Sequence, residues 1–521
     1  MAEIVIINPR FEVSFWGLEH ALPLLGKKAN LPVASLPLLA ALTPPEHRVT
    51  IVDENVEPLD FDQLARADIV AITGMNVQRY RMKEILQKLK QQGAFTVVGG
   101  PWVSVEEEYF GNLVDVIFVG EAEETWPQFL RDWQTGAHQN RYEQADRTDM
   151  TKVPCPRYDL LRARDYMFAG VQFTRGCPFE CEFCDIIVTF GRRPRLKTAA
   201  QIITELESLR RQGLRMVFIV DDNLIGNKKA VKVLLRQVCA WQRKHGYPMT
   251  FFTEATLDLA EDEELMRLMA ESNIQCVFIG IETPNQESLR ETKKLQNVRE
   301  RGGTMLEKVH RVQRAGLEVW CGMILGFDHD DSSIFDAQVQ FLTEARIVHA
   351  MIGMLVAFPK TPLHARLAAA GRLDDSDPPE FGTNVIPLQM SREELSAGYV
   401  RAMEELYEPE AYFDRVDSIF LDPDFQPGAV RQQFLRRHPW LRFESYVRNI
   451  ASAAVLERRV MRLVEDDGLR EIYRRRLANV RRTRRDPNFT FIYALKCIMH
   501  YHYHKMVRQM TQDDRVLINT F

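Results

Sequence analysis

The chain has 521 residues, 45% apolar and 27% charged, a composition that suits a soluble globular protein with room for about three domains. No run approaches the ~18–20 consecutive apolar residues of a spanning helix, and MAEIVIINPR shows no basic-then-apolar leader, so neither a membrane span nor a signal peptide is expected. Net charge is −5, and eight cysteines in so long a chain make no disulfide framework, which points to a reducing, cytoplasmic setting. From residue 1 to about 145, strand and helix alternate. Short apolar strands are expected at 4–7, 49–53, 69–73, 95–98 and 115–119. Helices are expected at 36–42, 61–66, 77–92 and 105–110, with a last one running to Trp133. Continuous apolar strands between helices predict a parallel sheet covered on both faces, doubly wound in a flavodoxin/Rossmann-like order.

Ligands of such sheets bind outside the strands' carboxyl ends. Asn8-Pro9-Arg10, Asp53-Glu54, Thr73-Gly74-Met75-Asn76, Gly99-Gly100-Pro101-Trp102-Val103-Ser104 and Gly120-Glu121-Ala122-Glu123 stand there. Glycine lets a backbone approach a large flat ligand closely. Taken singly, ordinary turn chemistry explains each of these stretches.

After a proline-punctuated linker at 153–159, the chain reads VQFTRGCPFECEFC over residues 171–184. The β-branched, apolar start suits the end of a buried strand, and Gly176 and Pro178 then break regular structure. Cys177, Cys181 and Cys184 therefore sit on a loop at a strand's carboxyl end, spaced CxxxCxxC. Three thiolates on one loop can converge on an iron–sulfur cluster, and a cubane held by three leaves one iron open to a small molecule. Core cysteines, or zinc with a distant fourth ligand, are the rival readings. Zinc sets usually come as paired CxxC or Cys/His, and no second pair stands nearby.

Strand–helix units recur beyond the loop. Counting 171–174, strands are expected at 216–220, 251–253, 276–281, 319–325 and 350–357, six in all, each but the last followed by a helix. This predicts a partial (β/α)6 TIM-like barrel with its site at the strands' carboxyl ends. Asp221, Asp222, Asn223, Glu254 and Glu282 stand at those ends, where a carboxylate commonly just caps the next helix. A polar boundary at 374–379 opens a mainly helical region, with Ser391 and Glu394 spaced as a capping box.

Charge is unevenly spread. Residues 425–521 hold 20 Lys/Arg against 9 Asp/Glu, while the other 424 residues are acidic. Arg474-Arg475-Arg476 and Arg481-Arg482-Thr483-Arg484-Arg485 precede FTFIYALKCIMHYHYHKMV at 489–507. Two readings stand. In one, arginines meet anionic headgroups while aromatics sit in a membrane interface. In the other, this is a packed terminal helix with a solvated basic face. His500 and His504 alone have the i, i+4 spacing of a helical metal pair, and no metal is expected there.

A CxxxCxxC loop after a strand, with Phe183 just before the third cysteine, resembles the radical S-adenosylmethionine (SAM) superfamily. With the NPR, GGP and GEAE turns ahead of it, the chain resembles that superfamily's cobalamin-binding branch. Residues 384–387, MSREEL and YEPEAYFDR resemble the extra domain of hopanoid A-ring and bacteriochlorophyll side-chain methylases. The resemblance implies a cobalamin-binding domain at 1–145, a radical SAM domain at 146–375 and a helical domain at 376–521. It implies a 4Fe-4S cluster on Cys177, Cys181 and Cys184. It implies SAM contacts from Phe183, Asp221, Asp222, Asn223, Glu254, Glu282 and the GxIxG strand ending at Gly326. Arg175 and Arg195 either pair with the SAM carboxylate or are surface charges. Cobalamin contacts would come from Asn8, Thr73, Gly74, Met75, Asn76, Gly99, Gly100, Pro101, Ser104, Gly120 and Glu121. The DxHxxG signature is absent, so no histidine is expected below the cobalt.

The implied reaction uses one SAM to methylate reduced cobalamin and a second to generate an adenosyl radical. That radical takes hydrogen from an unactivated carbon, which then receives the methyl group. A hydrophobic substrate, a hopanoid first and a tetrapyrrole side chain second, is implied, with an oxidase or cyclase without methyl transfer as a further reading. A flavodoxin- or ferredoxin-type electron donor is implied. An RNA-modifying enzyme would carry an extra cysteine trio or an RNA-binding module, so no nucleic-acid partner is expected. The expected location is the cytoplasm, with peripheral contact at the inner membrane.

Overall fold

Alternate residues of each apolar strand near the N-terminus go to opposite faces of one parallel sheet. A computed structural model, which describes residues 1–299 and 301–512, gives that sheet six strands. They are β1 (Glu3–Asn8), β2 (Arg48–Asp53), β3 (Ile69–Thr73), β4 (Thr96–Gly99), β5 (Val116–Val119) and β6 (Arg141–Glu143), in the order β2-β1-β3-β4-β5-β6. The first five follow the flavodoxin order, and β6 adds an edge that the sequence did not announce, since RYE is short and polar. Ile4, Ile6, Ile69, Ala71 and Val97 pack on Trp126, Phe129 and Leu130 on one face. Val5, Ile7, Val70, Ile72 and Val98 pack on Met82, Ile85, Leu86 and Leu89 on the other. At ~1.5–3 kcal/mol per fully buried side chain, these two layers hold the sheet.

The helix expected at 105–110 begins earlier, at Pro101–Val105, and a 3₁₀ turn, Gly111–Leu113, follows. Proline's fixed φ suits the first helical turn, so Pro101 starts the helix directly after β4.

The chain forms two compact units. One comprises Met1–Glu12, Lys28–Gly226 and Phe358–Arg366; the other comprises Val13–Lys27, Asn227–Ala357 and Leu367–Phe521. Besides its sheet, the first unit holds β7 (Ala169–Val171), the antiparallel pair β8 (Thr174–Arg175) and β9 (Arg195–Leu196), and β10 (Met216–Ile219), which pairs parallel to β7. The strand expected at 171–174 is thus split between β7 and β8.

In the second unit, β11 (Thr250–Ala255), β12 (Ile274–Glu282), β13 (Glu318–Leu325) and β14 (Ala350–Met354) pair in sequence, all parallel. Helices Glu263–Glu271, Met305–Arg314 and Ile334–Glu344 connect them. Parallel strand–helix units, β7 and β10 to β14, are the repeat expected of a partial (β/α)6 barrel. Helices follow: Arg392–Leu406, Pro409–Phe420, Ala429–Arg436, Pro439–Leu463, Asp467–Thr483 and Pro487–Met510. The first opens on the expected capping box, with Ser391 Oγ accepting from Glu394 N at 3.0 Å and Glu394 Oε2 from Ser391 N at 2.7 Å.

The aromatic stretch at 489–507 is core. Tyr493, Cys497, His500, Tyr503 and Val507 are buried in the Pro487–Met510 helix. Several of its basic neighbours are engaged as well. Arg476 reaches Asp414 and Asp417 at 2.8 Å, Arg475 pairs with Glu410, and Arg481 pairs with Glu457. The packed-helix reading of this segment is the one the structure carries. Among the described residues no helix is long and apolar enough to cross a membrane.

Candidate active site

A cleft opens in the first unit at the carboxyl ends of β3, β4 and β5. Its cavity volume is about 290 Å³, at the lower end of the ~300–1000 Å³ of ordinary small-ligand sites, and it opens to solvent. Thr73, Gly74, Met75, Gly99, Gly100 and Pro101 line it, with Ser104, Gly120 and Glu121. Val33, Leu38, Leu39 and Leu42 give it an apolar side.

Local chemistry explains the shape. Gly100 has φ +99°, and a Cβ there would lie 2.5 Å from Thr73 Oγ1 and 3.1 Å from Gly74 N, so only glycine lets the ends of β3 and β4 come this close. Ser104 Oγ donates to Gly100 O and accepts from Gly120 N, each at 2.9 Å, which ties the β4 turn to the β5 turn.

Asn8 and Asn76 are not on the cleft wall. Asn8 is buried: its amide donates to Asp53 Oδ1 at 3.1 Å and its Oδ1 accepts from Gln78 Nε2 at 2.9 Å. Asn76 Oδ1 accepts from Arg79 at 2.7 Å. Both hold turns together one step behind the wall.

The cysteine loop belongs to the same unit. Gly176 has φ +92°, and a Cβ would lie 2.8 Å from Gly191 O. Asp221 and Asp222, at the end of β10, grip the backbone leading into the loop. Asp221 Oδ1 accepts from Phe173 N at 2.7 Å and Thr174 N at 3.0 Å; Asp222 Oδ2 accepts from Gly176 N at 2.7 Å. Burial pushes Asp221 up to about 8 and Asp222 up to about 6, against those amides. Asn223 points its amide at Cys177 Sγ, 3.9 Å away.

Burial pushes the Cys184 thiol up, and the charges of Asp185, Cys181 and Cys177 push the same way. Among the described residues no three such side chains converge as ligands of one metal ion do. A cubane cluster asks for less, because each thiolate takes a different iron.

The turn at Gly120 and the strand before the loop are locked by charge. Arg175 Nη1 lies 2.8 Å from Glu121 Oε1 and 2.6 Å from Glu123 Oε1. Arg195 Nη1 lies 2.9 Å from both Glu121 oxygens and 2.8 Å from Thr148 O. Burial works against the Glu121 charge, yet Arg175 and Arg195 hold its carboxyl below the ordinary value. Glu121 thus meets the cleft as part of a buried ion cluster.

The sequence reading missed a second buried pair on the cleft wall. Lys197 Nζ lies 2.6 Å from Glu205 Oε1, and Tyr158 donates to Glu205 Oε2 at 3.1 Å. The signal was available: Glu205 sits on the apolar stripe Ile202, Leu206, Leu209 of its helix, where a lone charge needs a partner.

Glu254, Glu282 and Gly326 belong to the second unit. Glu282 closes β12 with φ +68°, in the left-handed region, and pairs with Lys294 at 2.6 Å. Asn297 donates to Gly280 O and Ile281 O, both at 2.9 Å, and so holds that strand end. Gly326 donates its N–H to Asp330 Oδ2 at 3.0 Å. Glu254 lies on β11, partly exposed.

The cleft suits a corrinoid. It is glycine-walled and largely apolar, and it offers the buried Thr189 Oγ1, which has no hydrogen-bond partner, to a ligand amide. Among the described residues that line it there is no histidine. A flavodoxin-order sheet with such a cleft, joined in one unit to a loop that bears three cysteines, is the frame of a two-cofactor α/β enzyme.

Comparison with known proteins agrees. Residues 30–130 match the B12 binding domain, residues 171–337 the radical SAM superfamily, and residues 361–515 a domain of unknown function, DUF4070. An uncharacterized methyltransferase of Synechocystis sp. is 41% identical over 80% of this chain and 78% of its own. The hopanoid C-2 methylase of Rhodopseudomonas palustris is 36% identical over 80% and 78%. The bacteriochlorophyllide d C-8(2)-methyltransferase of Chlorobaculum tepidum is 23% identical over 66% and 77%.

Among solved structures, the cobalamin-dependent SAM radical enzyme OxsB, with aqua-cobalamin and SAM bound, superposes with a TM-score of 0.61. It is 13% identical, over 95% of this chain and 83% of that one. The radical SAM methyltransferase TsrM from Kitasatospora setae gives 0.58 and 18%, over 77% and 82%. At these identities the two structures speak for the fold. The chain belongs to the B12-binding radical SAM methyltransferase family. It is a radical SAM methyltransferase, and its cofactors are a 4Fe-4S cluster, SAM and cobalamin.

Proposed function

We propose that this enzyme adds a methyl group to an unactivated carbon of a large hydrophobic substrate of the hopanoid type. The observation that carries this reading is the likeness to the hopanoid C-2 methylase, which runs through nearly four-fifths of both chains. The lower likeness to the bacteriochlorophyllide methyltransferase supports a tetrapyrrole substrate less well.

When bound, the cluster, SAM and cobalamin supply an adenosyl radical and a transferable methyl group. The chain's own residues hold, orient and shield. Cys177, Cys181 and Cys184 would grip three irons, with Asp221 and Asp222 setting the loop's backbone. Phe183, Asn223, Glu254, Glu282 and Gly326 would meet SAM. Thr73, Gly74, Met75, Gly99, Gly100, Pro101, Ser104 and Gly120 would seat the corrin and its tail. Asn8, Asn76 and Glu121 would fix the turns on which that seat depends. Residues 1–145, 146–375 and 376–521 would form the cobalamin, radical SAM and C-terminal domains. Electrons would come from a flavodoxin- or ferredoxin-type donor, and the enzyme would work in the cytoplasm, in peripheral contact with the inner membrane.

Anaerobically reconstituted protein tests the chemistry. Cys184→Ala is expected to abolish 5′-deoxyadenosine formation while cobalamin absorbance is retained; an unchanged yield overturns the cluster assignment. Lipid and pigment profiles of a deletion strain test the substrate. Loss of methylated hopanoids supports the reading, and loss of a methylated tetrapyrrole with hopanoids intact overturns it.

A further inference from the structure

The helix Pro439–Leu463 carries eight of the fourteen large hydrophobic side chains exposed among the described residues, and every exposed aromatic. Six fall within residues 440–450: Trp440, Leu441, Phe443, Tyr446, Val447 and Ile450. Trp440 is 83% exposed and Phe443 59%, their rings 6.0 Å apart. Such a patch on a monomer marks an interaction site.

Residues 436–444 are exposed one after another, with Leu441 alone turned toward Gly246, and at Ser445 one face becomes buried. A protein partner with a firm face would cover one side of a helix. A fluid phase can follow the whole exposed run. Arg436, Arg437 and Arg442 share this end, and none has a carboxylate within ion-pair distance among the described residues. Glu444, its one acid, lies 3.5 Å from Arg448. A second copy would set these arginines against each other, whereas anionic headgroups would complement them. Trp and Tyr beside Arg, on a helix that does not span, is the chemistry of headgroup depth.

We infer that the Trp440–Ile450 end of this helix is a docking surface for an anionic lipid bilayer. The inference deepens the proposed function, because it names the surface of the membrane contact and rests on that reading for the need of one.

Vesicle flotation of the full chain, reconstituted anaerobically, tests it, with phosphatidylcholine vesicles alone or mixed with phosphatidylglycerol. Wild type is expected to float with the mixed vesicles. The W440A/F443A/Y446A variant should partition about tenfold less well. The R436Q/R437Q/R442Q variant should lose the preference for phosphatidylglycerol together with its salt dependence. Bromine-labelled lipid should quench more fluorescence in wild type than in Trp440→Phe. All these side chains are exposed, so thermal melting should stay at the wild-type value.

Equal flotation of wild type and both multiple variants overturns the inference. So does a lipid-free, concentration-dependent dimer that the aromatic variant abolishes. Turnover of detergent-dispersed substrate separates the two readings: a wild type that floats without methylating hopanoid sinks the substrate reading and leaves the surface standing.

Discussion

Arg175 stands two residues ahead of Cys177, with its guanidinium shared between Glu121 and Glu123. Removing one partner of a buried ion pair leaves an uncompensated charge and costs about 3–5 kcal/mol. Arg175→Gln is therefore expected to lower the melting temperature sharply and to weaken both cobalamin retention and cluster loading, because the turn and the loop share this anchor. Arg195→Gln should be milder, since Glu121 keeps Arg175. Melting curves with cobalamin and iron content check both, and equal effects would show that the two arginines share the anchor. At this scale the sequence was legible where spacing is chemistry. The CxxxCxxC trio needs no fold to be noticed, nor do glycines at strand ends. The partner of Glu121 was not legible, because it lies 54 residues along the chain and only the fold brings it near. For the same reason the hydrogen bonds that Asn8, Asp221 and Asp222 make to the protein itself were not legible.

The terminal helix Pro487–Met510 shows the same limit for an element. Its length and helicity follow from the pattern, but FTFIYALKCIMHYHYHKMV has apolar and aromatic residues on several faces, so periodicity alone leaves membrane and core open. Burial decides. Tyr473 donates to His500 Nδ1 at 2.6 Å, and His500 Nε2 donates to Tyr407 O at 3.1 Å. His502 Nδ1 accepts from His20 N at 3.3 Å and its Nε2 donates to Ser14 O at 2.9 Å. Each ring is satisfied as a neutral imidazole. Burial pushes both down to about 3 from an ordinary 6.5, with His504 adding to the effect on His500 and His20 on His502. Between those values the unfolded chain binds the protons and the folded chain does not, so stability falls as pH drops from 6.5 toward 3. The slope is about 1.4 kcal/mol per pH unit for each histidine. Denaturant unfolding followed by helix signal from pH 7 to 5 should show this loss, and H500Q/H502Q should flatten it. A double variant with the wild-type slope would assign the acid sensitivity elsewhere.

At the scale of the whole molecule, alternating strands and helices were readable, and the parallel sheets follow from them. The grouping of segments was not, because it depends on contacts distant in sequence. The first unit takes in Phe358–Arg366, far beyond its other residues. Lys360 donates to Ser104 O at 2.8 Å, Leu363 N to Glu182 O at 3.0 Å, and Arg366 to Glu182 Oε2 at 3.1 Å. Ser104 belongs to the cleft wall, and Glu182 lies between Cys181 and Cys184, so this short segment supports the cofactor seat and the cysteine loop together. Conversely, Val13–Lys27 belongs to the second unit, where the Phe15 ring packs 4.8 Å from that of Tyr503. A fragment of residues 1–226 would contain every cleft residue and all three loop cysteines, and still lack one support while exposing Phe15. Lys360 and Arg366 are partly exposed, and such contacts contribute about 0.2–1 kcal/mol each, where about 1.4 kcal/mol is tenfold in affinity. The fragment is therefore expected to bind cobalamin about threefold to tenfold more weakly than the full chain and to take up less iron. Attaching residues 358–366 through a flexible linker should recover part of both. Absorbance titration with cobalamin measures the first and iron analysis the second. A fragment that matches the full chain in both would mean that the seat and the loop stand without Phe358–Arg366.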